Sequence, residues 1–155
     1  MSLIHDMPGH LIRRMNQIAT SIFQERMHAL DLDLTPVQFG ALACLRDHPG
    51  IDQATLAGLI AHDRVTIGGV IDRLHGKGLV VRTVNDRDRR ARQLFLTDAG
   101  AALLHQILPE VEALQDDILG GLDAEERRLF VALASKVATI GNERSRAPLR
   151  ERQAD

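Results

Sequence analysis

Residues 63–100 read DRVTIGGVIDRLHGKGLVVRTVNDRDRRARQLFLTDAG, and the period of the apolar residues changes within this stretch. Up to Leu74 the apolar residues have helical spacing, and a Gly-Lys-Gly sequence at residues 76–78 then ends the pattern. Residues 79–84 and 93–96 are short runs of β-branched or apolar side chains, separated by a polar run. The stretch predicts a helix, for which Asp63 is a suitable N-cap, followed by a β-hairpin with a long charged tip.

Helices are predicted on the N-terminal side of this stretch as well. From Leu11, apolar residues recur at every third or fourth position over about 20 residues, as on one face of an amphipathic helix. Thr35, with Gln38 three residues later, has the pattern of a capping box and predicts the start of a second helix, which ends at residues 48–50. Asp52 begins a short third helix, and a break near His62 separates it from the helix of the opening stretch.

Two longer helices are predicted on the C-terminal side. Thr97 is a suitable N-cap for the first, inside which Pro109 predicts a kink or a local break. Asp123 and Glu126 form a second capping-box pattern and start the last helix. From residue 144 the sequence is polar, and a frayed tail is expected there.

The predicted fold is mainly α with a small β-hairpin wing. Two short helices joined by a tight turn and followed by a charged hairpin are typical of a winged helix-turn-helix, which we place at residues 35–97. The helices at residues 10–31 and 98–143 have apolar stripes that so small a module does not need, so they are predicted to be dimerisation helices. Residues 1–155 would then be a single chain of a homodimer, with a polar tail at residues 144–155.

The distribution of charge singles out the same module. The 155 residues have a formal net charge of −2, which by itself argues against a nucleic-acid partner. Residues 63–92, however, hold eight basic and four acidic residues, a balance of +4, while the remaining 11 basic and 17 acidic residues give −6. A basic island in an acidic protein indicates a local anion-binding surface.

Several classes of protein are disfavoured by the sequence. No apolar run approaches membrane-spanning length, and residues 1–9 do not resemble a secretory signal, so a cytoplasmic location is expected. The single cysteine, Cys44, excludes an intramolecular disulfide and is expected in the core. The seven histidines have no metal-ligand spacing, and no catalytic motif is present. We therefore predict no metal, no cofactor and no enzymatic activity.

The sequence resembles the MarR family of transcriptional regulators over roughly residues 10–142. The resemblance is carried by residues 70–74, 77–79 and 86–90, by Leu96-Thr97 with Gly100, and by the upstream residues 34–39. It implies a homodimer that binds a pseudo-palindromic DNA duplex through a recognition helix and a wing, and that acts as a repressor.

The resemblance also implies DNA-binding residues. The major groove admits a helix that presents small or polar side chains, and those of the expected recognition helix are Arg64, Val65, Thr66, Gly68, Gly69 and Arg73. In the family wing, an aspartate holds an arginine that enters the minor groove. Carried over, Asp88 braces Arg90, and Arg87 and Arg89 contact phosphates. Which of the wing arginines enters the groove stays open.

Small anionic or phenolic effectors bind, in this family, between the dimer helices and the winged module. The effector residues expected here are His10, Arg13, Arg14 and Phe39, a set suited to an aromatic carboxylate. The N-terminal segment is similar to regulators of aromatic-acid breakdown, including repressors of nicotinate degradation. The predicted function is thus a repressor released by a small aromatic carboxylate, such as a hydroxylated nicotinate. The alternatives are a metal- or redox-responsive sensor of the same family, and a ligand-binding helical dimer with no specific operator.

Overall fold

The computed structural model describes residues 3–84, 86–88 and 92–151. It is mainly helical and has the predicted order of four helices, a hairpin and two helices. None of the helices among the described residues combines the length and apolar character that a membrane span requires. The elements are α1 (Pro8–Ala29), α2 (Pro36–Asp47), α3 (Gln53–Leu59), α4 (Ile67–Gly76), β1 (Val80–Val84), β2 (Arg92–Leu96), α5 (Asp98–Ile118) and α6 (Ala124–Ile140), with short 3-10 helices at Leu3–Asp6 and Asn142–Arg144.

Most helix starts follow the predicted capping residues. Thr35 Oγ1 accepts the backbone N–H of Gln38, whose side-chain oxygen accepts the N–H of Thr35, both at 3.2 Å. Asp52, Thr97 and Asp123 likewise accept a backbone N–H from the first turn of the helix that follows. Each of these bonds satisfies a donor that the helix itself leaves unpaired, which is why the sequence signal is reliable.

The predicted start of α4 is wrong. Asp63 does not cap the helix: its Oδ1 accepts the N–H of Val65 at 2.8 Å within a preceding turn. The carbonyl of Asp63 accepts the N–H groups of Thr66 and Ile67, and α4 begins only at Ile67. Arg64, Val65 and Thr66, which were expected on the helix, therefore lie in the turn that leads into it.

Of the kink or local break predicted at Pro109, the break is absent: α5 is continuous from Asp98 to Ile118. The buried residues Leu104, Ile107, Val111 and Leu114 lie on both sides of the proline along one face of the helix. Burial of this stripe opposes the loss of the hydrogen bond that proline cannot donate.

The core lies between α2, α3, α4, the hairpin and α5. The strands are antiparallel, with Val80 opposite Leu96 and Val84 opposite Arg92. Fully buried side chains from each of these elements meet in one cluster, which includes Leu42, Leu45, Leu56, Ile71, Leu74, Val80, Leu94 and Ile107. The cluster holds the turn before α4 and the base of the hairpin on one scaffold.

The outer helices are packed on this core along little of their length. α6 buries no residue in the described chain, and α1 buries only Phe23 and Met27 there. The exposed apolar side chains of these two helices include Leu11, Ile12, Met15, Ile18, Leu129, Leu133, Val137 and Ile140. An apolar surface of this extent is typical of an interface.

As far as the structure describes it, up to residue 151, the C-terminal segment is more ordered than expected. Instead of fraying, it turns back after α6, where the side chain of Asn142 accepts the N–H of Leu149 and donates to its carbonyl. Arg150 then donates its backbone N–H to the carbonyl of Gly58, at the end of α3. These partners are too far apart in sequence for the composition of the tail to indicate them.

Candidate nucleic-acid interface

The turn before α4 presents its side chains to solvent. Arg64, Val65 and Thr66 are all exposed, and Val65 keeps 90% of its accessible surface. The opposite face of α4 is anchored in the core by Ile67, Val70, Ile71 and Leu74. A helix held in this way offers its N-terminal end and outer face to a partner.

The two glycines at the start of α4 are not required by packing within the chain. A Cβ on Gly68 would come no closer than 3.7 Å to a heavy atom, the side-chain nitrogen of Gln53. A Cβ on Gly69 would lie 3.9 Å from Arg73 and meet nothing nearer. Both are ordinary contact distances, so the chain itself has room for a methyl group at either position.

The C-terminal half of α4 is fastened to α2. Lys77 Nζ donates to the carbonyl of Asp33 and, at 3.2 Å, to the side-chain oxygen of Gln38. Arg73, one turn earlier, is exposed and lines a cleft of about 530 Å³ together with Thr35 and Lys77. Sequence reasoning missed this role of Lys77, because its partners, Asp33 before α2 and Gln38 in α2, are 44 and 39 residues away in sequence.

A second fastening joins α4 to the wing. Arg82 of β1 donates to the carboxylate of Asp72. This hydrogen bond and the charge of Arg82 lower the pKa of Asp72 below its ordinary value of 3.8. Arg82 and Asp72 thus neutralise one another within the chain, and the +4 balance of residues 63–92 comes from the other charged residues.

The wing tip is described only in part. Arg87 and Asp88 are exposed, and each takes part in an interaction. Arg89 and Arg90 lie outside the described residues, so the bracing of Arg90 by Asp88 stays a prediction. Arg92 begins β2 and lines a cleft of about 500 Å³ with Gln53 and Gly68, between the wing and the start of α3.

The expected effector residues fall into two places. His10 Nδ1 lies 3.4 Å from Arg13 Nη2 near the start of α1, with Arg14 one position further along. Phe39 of α2 packs instead beside Phe23, with the ring centroids 6.2 Å apart. Thirteen residues of helix separate His10 from Phe23, which at 1.5 Å per residue is about 20 Å. A single chain therefore does not bring the four residues together.

Cys44 is half-buried beside the core rather than fully within it. Desolvation, and secondarily the charge of Asp47, raises the pKa of its thiol above 9.0. A raised pKa lowers the thiolate fraction that oxidants attack. In the part of the chain that the structure describes, no three His, Cys, Asp or Glu side chains are grouped as a metal site would need.

A helix-turn-helix with an exposed N-terminal end, joined to a basic hairpin, defines the winged helix class of DNA-binding proteins. The sequence matches the model of the MarR family over residues 34–91. It is 39% identical over 129 residues to the HTH-type transcriptional repressor NicR of Pseudomonas putida, an alignment that covers 83% of this chain and 80% of NicR. The chain belongs to the MarR family of DNA-binding transcriptional regulators.

Solved structures have the same fold. One describes how 6-hydroxynicotinic acid regulates DNA binding by BpsR of Bordetella bronchiseptica; it superimposes with a TM-score of 0.80 at 33% identity and covers 89% of this chain and 96% of that one. Another, the transcriptional repressor CouR bound to a 23-mer DNA duplex, has a TM-score of 0.77 at 32% identity and covers 91% of this chain and 96% of that one.

Proposed function

We propose that this protein is a homodimeric repressor that leaves its operator when a small aromatic carboxylate, such as a hydroxylated nicotinate, binds to it. The observation that carries the proposal is the similarity to NicR, supported by the likeness to BpsR, whose DNA binding 6-hydroxynicotinic acid regulates. The protein would act in the cytoplasm, where it regulates transcription and catalyses no reaction.

The proposed dimer uses residues 10–31 and 98–143, which include the outer helices α1 and α6. What supports this is the apolar surface on α1 and α6, with side chains such as Ile12 and Val137 more than half exposed in the chain. Burial of such surface against a second copy is favourable by about 25 cal/mol per Å². A dimer would also present two copies of the module at residues 35–97 to the two halves of a pseudo-palindrome.

The proposed DNA contacts combine the turn, α4 and the wing. Arg64, Val65 and Thr66 would meet base edges or phosphates at the end of α4, with Gly68, Gly69 and Arg73 along its outer face. In the wing, Arg90, braced by Asp88, would enter the minor groove, and Arg87 and Arg89 would bind phosphates. Arginine suits a narrow minor groove because of the strong negative potential there.

The proposed effector site lies between two chains. Arg13 and Arg14 would bind the carboxylate through charge-assisted hydrogen bonds, His10 would contact a ring hydroxyl or nitrogen, and Phe39 would pack against the ring. Because His10 and Phe39 are far apart within one chain, the site requires that α1 of one protomer approach Phe39 of its partner. An effector that prefers a dimer with misplaced recognition helices would then weaken DNA binding.

A release assay tests the proposal. A DNA duplex is first enriched from a randomised pool by its binding to the protein. The complex of the protein with this duplex is then titrated with 6-hydroxynicotinate, nicotinate and benzoate. We expect 6-hydroxynicotinate to release the duplex, and Arg13→Ala to bind DNA normally but to lose release by at least tenfold in effector concentration. Arg46→Ala is the control, since it removes an exposed arginine at the end of α2. Release of Arg13→Ala at the wild-type concentration would contradict the effector site.

A further inference from the structure

The segment after α6, residues 141–151, forms a C-terminal strap with its own internal bonds. The side chain of Asn142 bonds both backbone groups of Leu149, at 2.8 and 3.0 Å. The guanidinium of Arg150 donates two hydrogen bonds to the carboxylate of Glu143, at 2.5 and 3.0 Å. These bonds close the strap into a loop of defined shape.

The strap is seated on the helix-turn-helix. The N–H of Arg150 donates to the carbonyl of Gly58 at 2.8 Å. At Gly58 a Cβ would lie only 3.0 Å from Cβ of Arg150, so the absence of a side chain lets the two backbones approach. The strap and the end of α3 therefore fit one another closely.

A single arginine of the strap reaches the turn before α4. Nε of Arg146 lies 3.0 Å from Oδ2 of Asp63, the carboxylate whose other oxygen accepts the N–H of Val65. Asp63 is 19% exposed, whereas 88% of the Arg146 side chain faces solvent. The pair thus neutralises an acid that would repel phosphates, and it leaves most of the guanidinium outside.

The strap lies beside the turn of residues 64–66 and does not cover it. A cleft of about 420 Å³ separates the two, with Arg64 on the side of the turn and Arg146 and Arg150 on the side of the strap. Val65 at the tip of the turn is 90% exposed with the strap in place. A segment that blocked DNA binding would bury this residue.

We propose that the strap extends the DNA-binding surface and that Arg146 binds a backbone phosphate next to the turn of residues 64–66. The proposal rests on the proposed operator binding through α4. An arginine held by one carboxylate oxygen has further N–H donors in a planar fork, which matches the geometry of a phosphate. Asp63 is then a positioning residue, since it fixes both the turn and the guanidinium.

The test compares variants that remove one exposed, paired arginine each. Affinities for the enriched duplex are measured over a range of salt concentrations for the wild type, Arg146→Ala, Arg146→Lys and Arg46→Ala. Arg46 is the matched control, because its Nε pairs with Asp47 at 2.8 Å and its loss changes the net charge equally. Thermal unfolding of each variant verifies that it is folded.

We expect Arg146→Ala to bind several-fold more weakly and to reduce the slope of log affinity against log salt by about 1, as for one lost phosphate contact. Arg46→Ala should match the wild type, and Arg146→Lys should keep the slope. Asn142→Ala, which loosens the strap without a change in charge, should also weaken binding.

Other results overturn the inference. Wild-type affinity and slope in Arg146→Ala would show that no phosphate is bound there, and tighter binding would show that the strap obstructs DNA. Wild-type affinity in Asn142→Ala would show that the seating of the strap is not needed. If the wild type enriches no duplex at all, the proposed operator binding fails instead, which is a distinguishable outcome.

Discussion

Gly100 is a residue at which α5 lies close to the backbone of the winged module. Thr97 Oγ1 accepts the N–H of Gly100 and donates to the carbonyl of Gly78, which brings the start of α5 against the end of α4. A Cβ on Gly100 would lie 2.1 Å from the carbonyl oxygen of Leu79, far inside van der Waals contact. No side chain fits at this position without movement of the backbone.

Gly100→Ala should therefore destabilise the protein by roughly 1–3 kcal/mol, the usual cost of overpacking, or by more if the hairpin shifts. Chemical denaturation monitored by circular dichroism measures the change. Gly9→Ala is the control, because that glycine has no neighbouring atom within 4 Å of the added methyl. Equal stability of the two variants would contradict the close approach.

At Gly69, unlike at Gly100, we expect an added methyl group to stabilise the protein. It is exposed in the first turn of α4, and the chain has room for a methyl group there. Since glycine costs a helix about 1 kcal/mol relative to alanine, Gly69→Ala should raise the free energy of unfolding by up to that amount.

The same variant should bind the enriched duplex more weakly, because the added methyl occupies the face that we assign to DNA. Denaturation and DNA titration are measured on the same preparation. A more stable variant with wild-type affinity and sequence preference would show that this face does not contact the duplex. Gly9→Ala again serves as the control for the substitution itself.

At the scale of elements, the ion pair between Asp72 and Arg82 is one of the contacts that hold the wing against α4. Arg82 lowers the pKa of Asp72, so the stability from this pair is fully present above the ordinary carboxyl pKa of 3.8. It is lost as pH falls through the lower pKa of the folded state. Around neutral pH the pair contributes no pH dependence.

Asp72→Asn should thus lower the thermal midpoint slightly at pH 7, with a difference from the wild type that shrinks in acid below the ordinary carboxyl pKa. The wing should also open more readily, seen as faster amide exchange in residues 80–84. Asp47→Asn, which breaks the Arg46 pair away from the wing, should leave that exchange unchanged. A difference between Asp72→Asn and wild type that grows in acid would contradict this role.

Sequence patterns within a few residues predict the helices and strands, but they do not predict contacts between residues that are far apart in the sequence. Thr35, Thr97 and Asp123 are predictable as N-caps because the hydrogen bond lies within a few residues of the cap. Asp63 has the same local character, but its carboxylate shapes a turn and pairs with Arg146, more than 80 residues away in sequence. Nothing in the sequence around Asp63 or Arg146 indicates that these two residues pair.

For the candidate site, the same limit holds. Residue types and spacing located α4 and the polar residues before it, but they placed residues 64–66 on the helix instead of in a turn. The fastening of α4 by Lys77 and Arg82, and the seat of the strap on Gly58, depend on distances between elements that no local pattern contains.

In the molecule as a whole, the basic and the acidic parts of the sequence lie in different parts of the structure. The +4 balance of residues 63–92 belongs to the module with the exposed turn of residues 64–66, and the −6 remainder includes the outer helices. Some of these acidic residues form ion pairs within the chain, since Arg26 of α1 pairs with Glu110 and Asp117 of α5 at 2.6 and 3.1 Å. These pairs join α1 to α5 within the single chain.

The exposed apolar face of α6 lets the dimer be tested without any change to the DNA-binding module. Leu133 and Val137 lie one turn apart on this face, and Val137 is 65% exposed in the single chain. Val137→Glu would place a charge within the proposed interface, where desolvation is costly. Ser135→Glu adds the same charge on the opposite side of the helix, because two residues are separated by about 200° around it.

We expect light scattering to show a dimer for the wild type and for Ser135→Glu, and Val137→Glu to dissociate at concentrations at least tenfold higher. Operator affinity should fall together with dimerisation, since a monomer engages one half-site and loses the effective concentration of the second module. Non-specific DNA binding by each module should change far less. If Val137→Glu stayed as tightly dimeric as Ser135→Glu, the interface would have to lie on α1 alone, and α6 would need another explanation for its exposed apolar side chains.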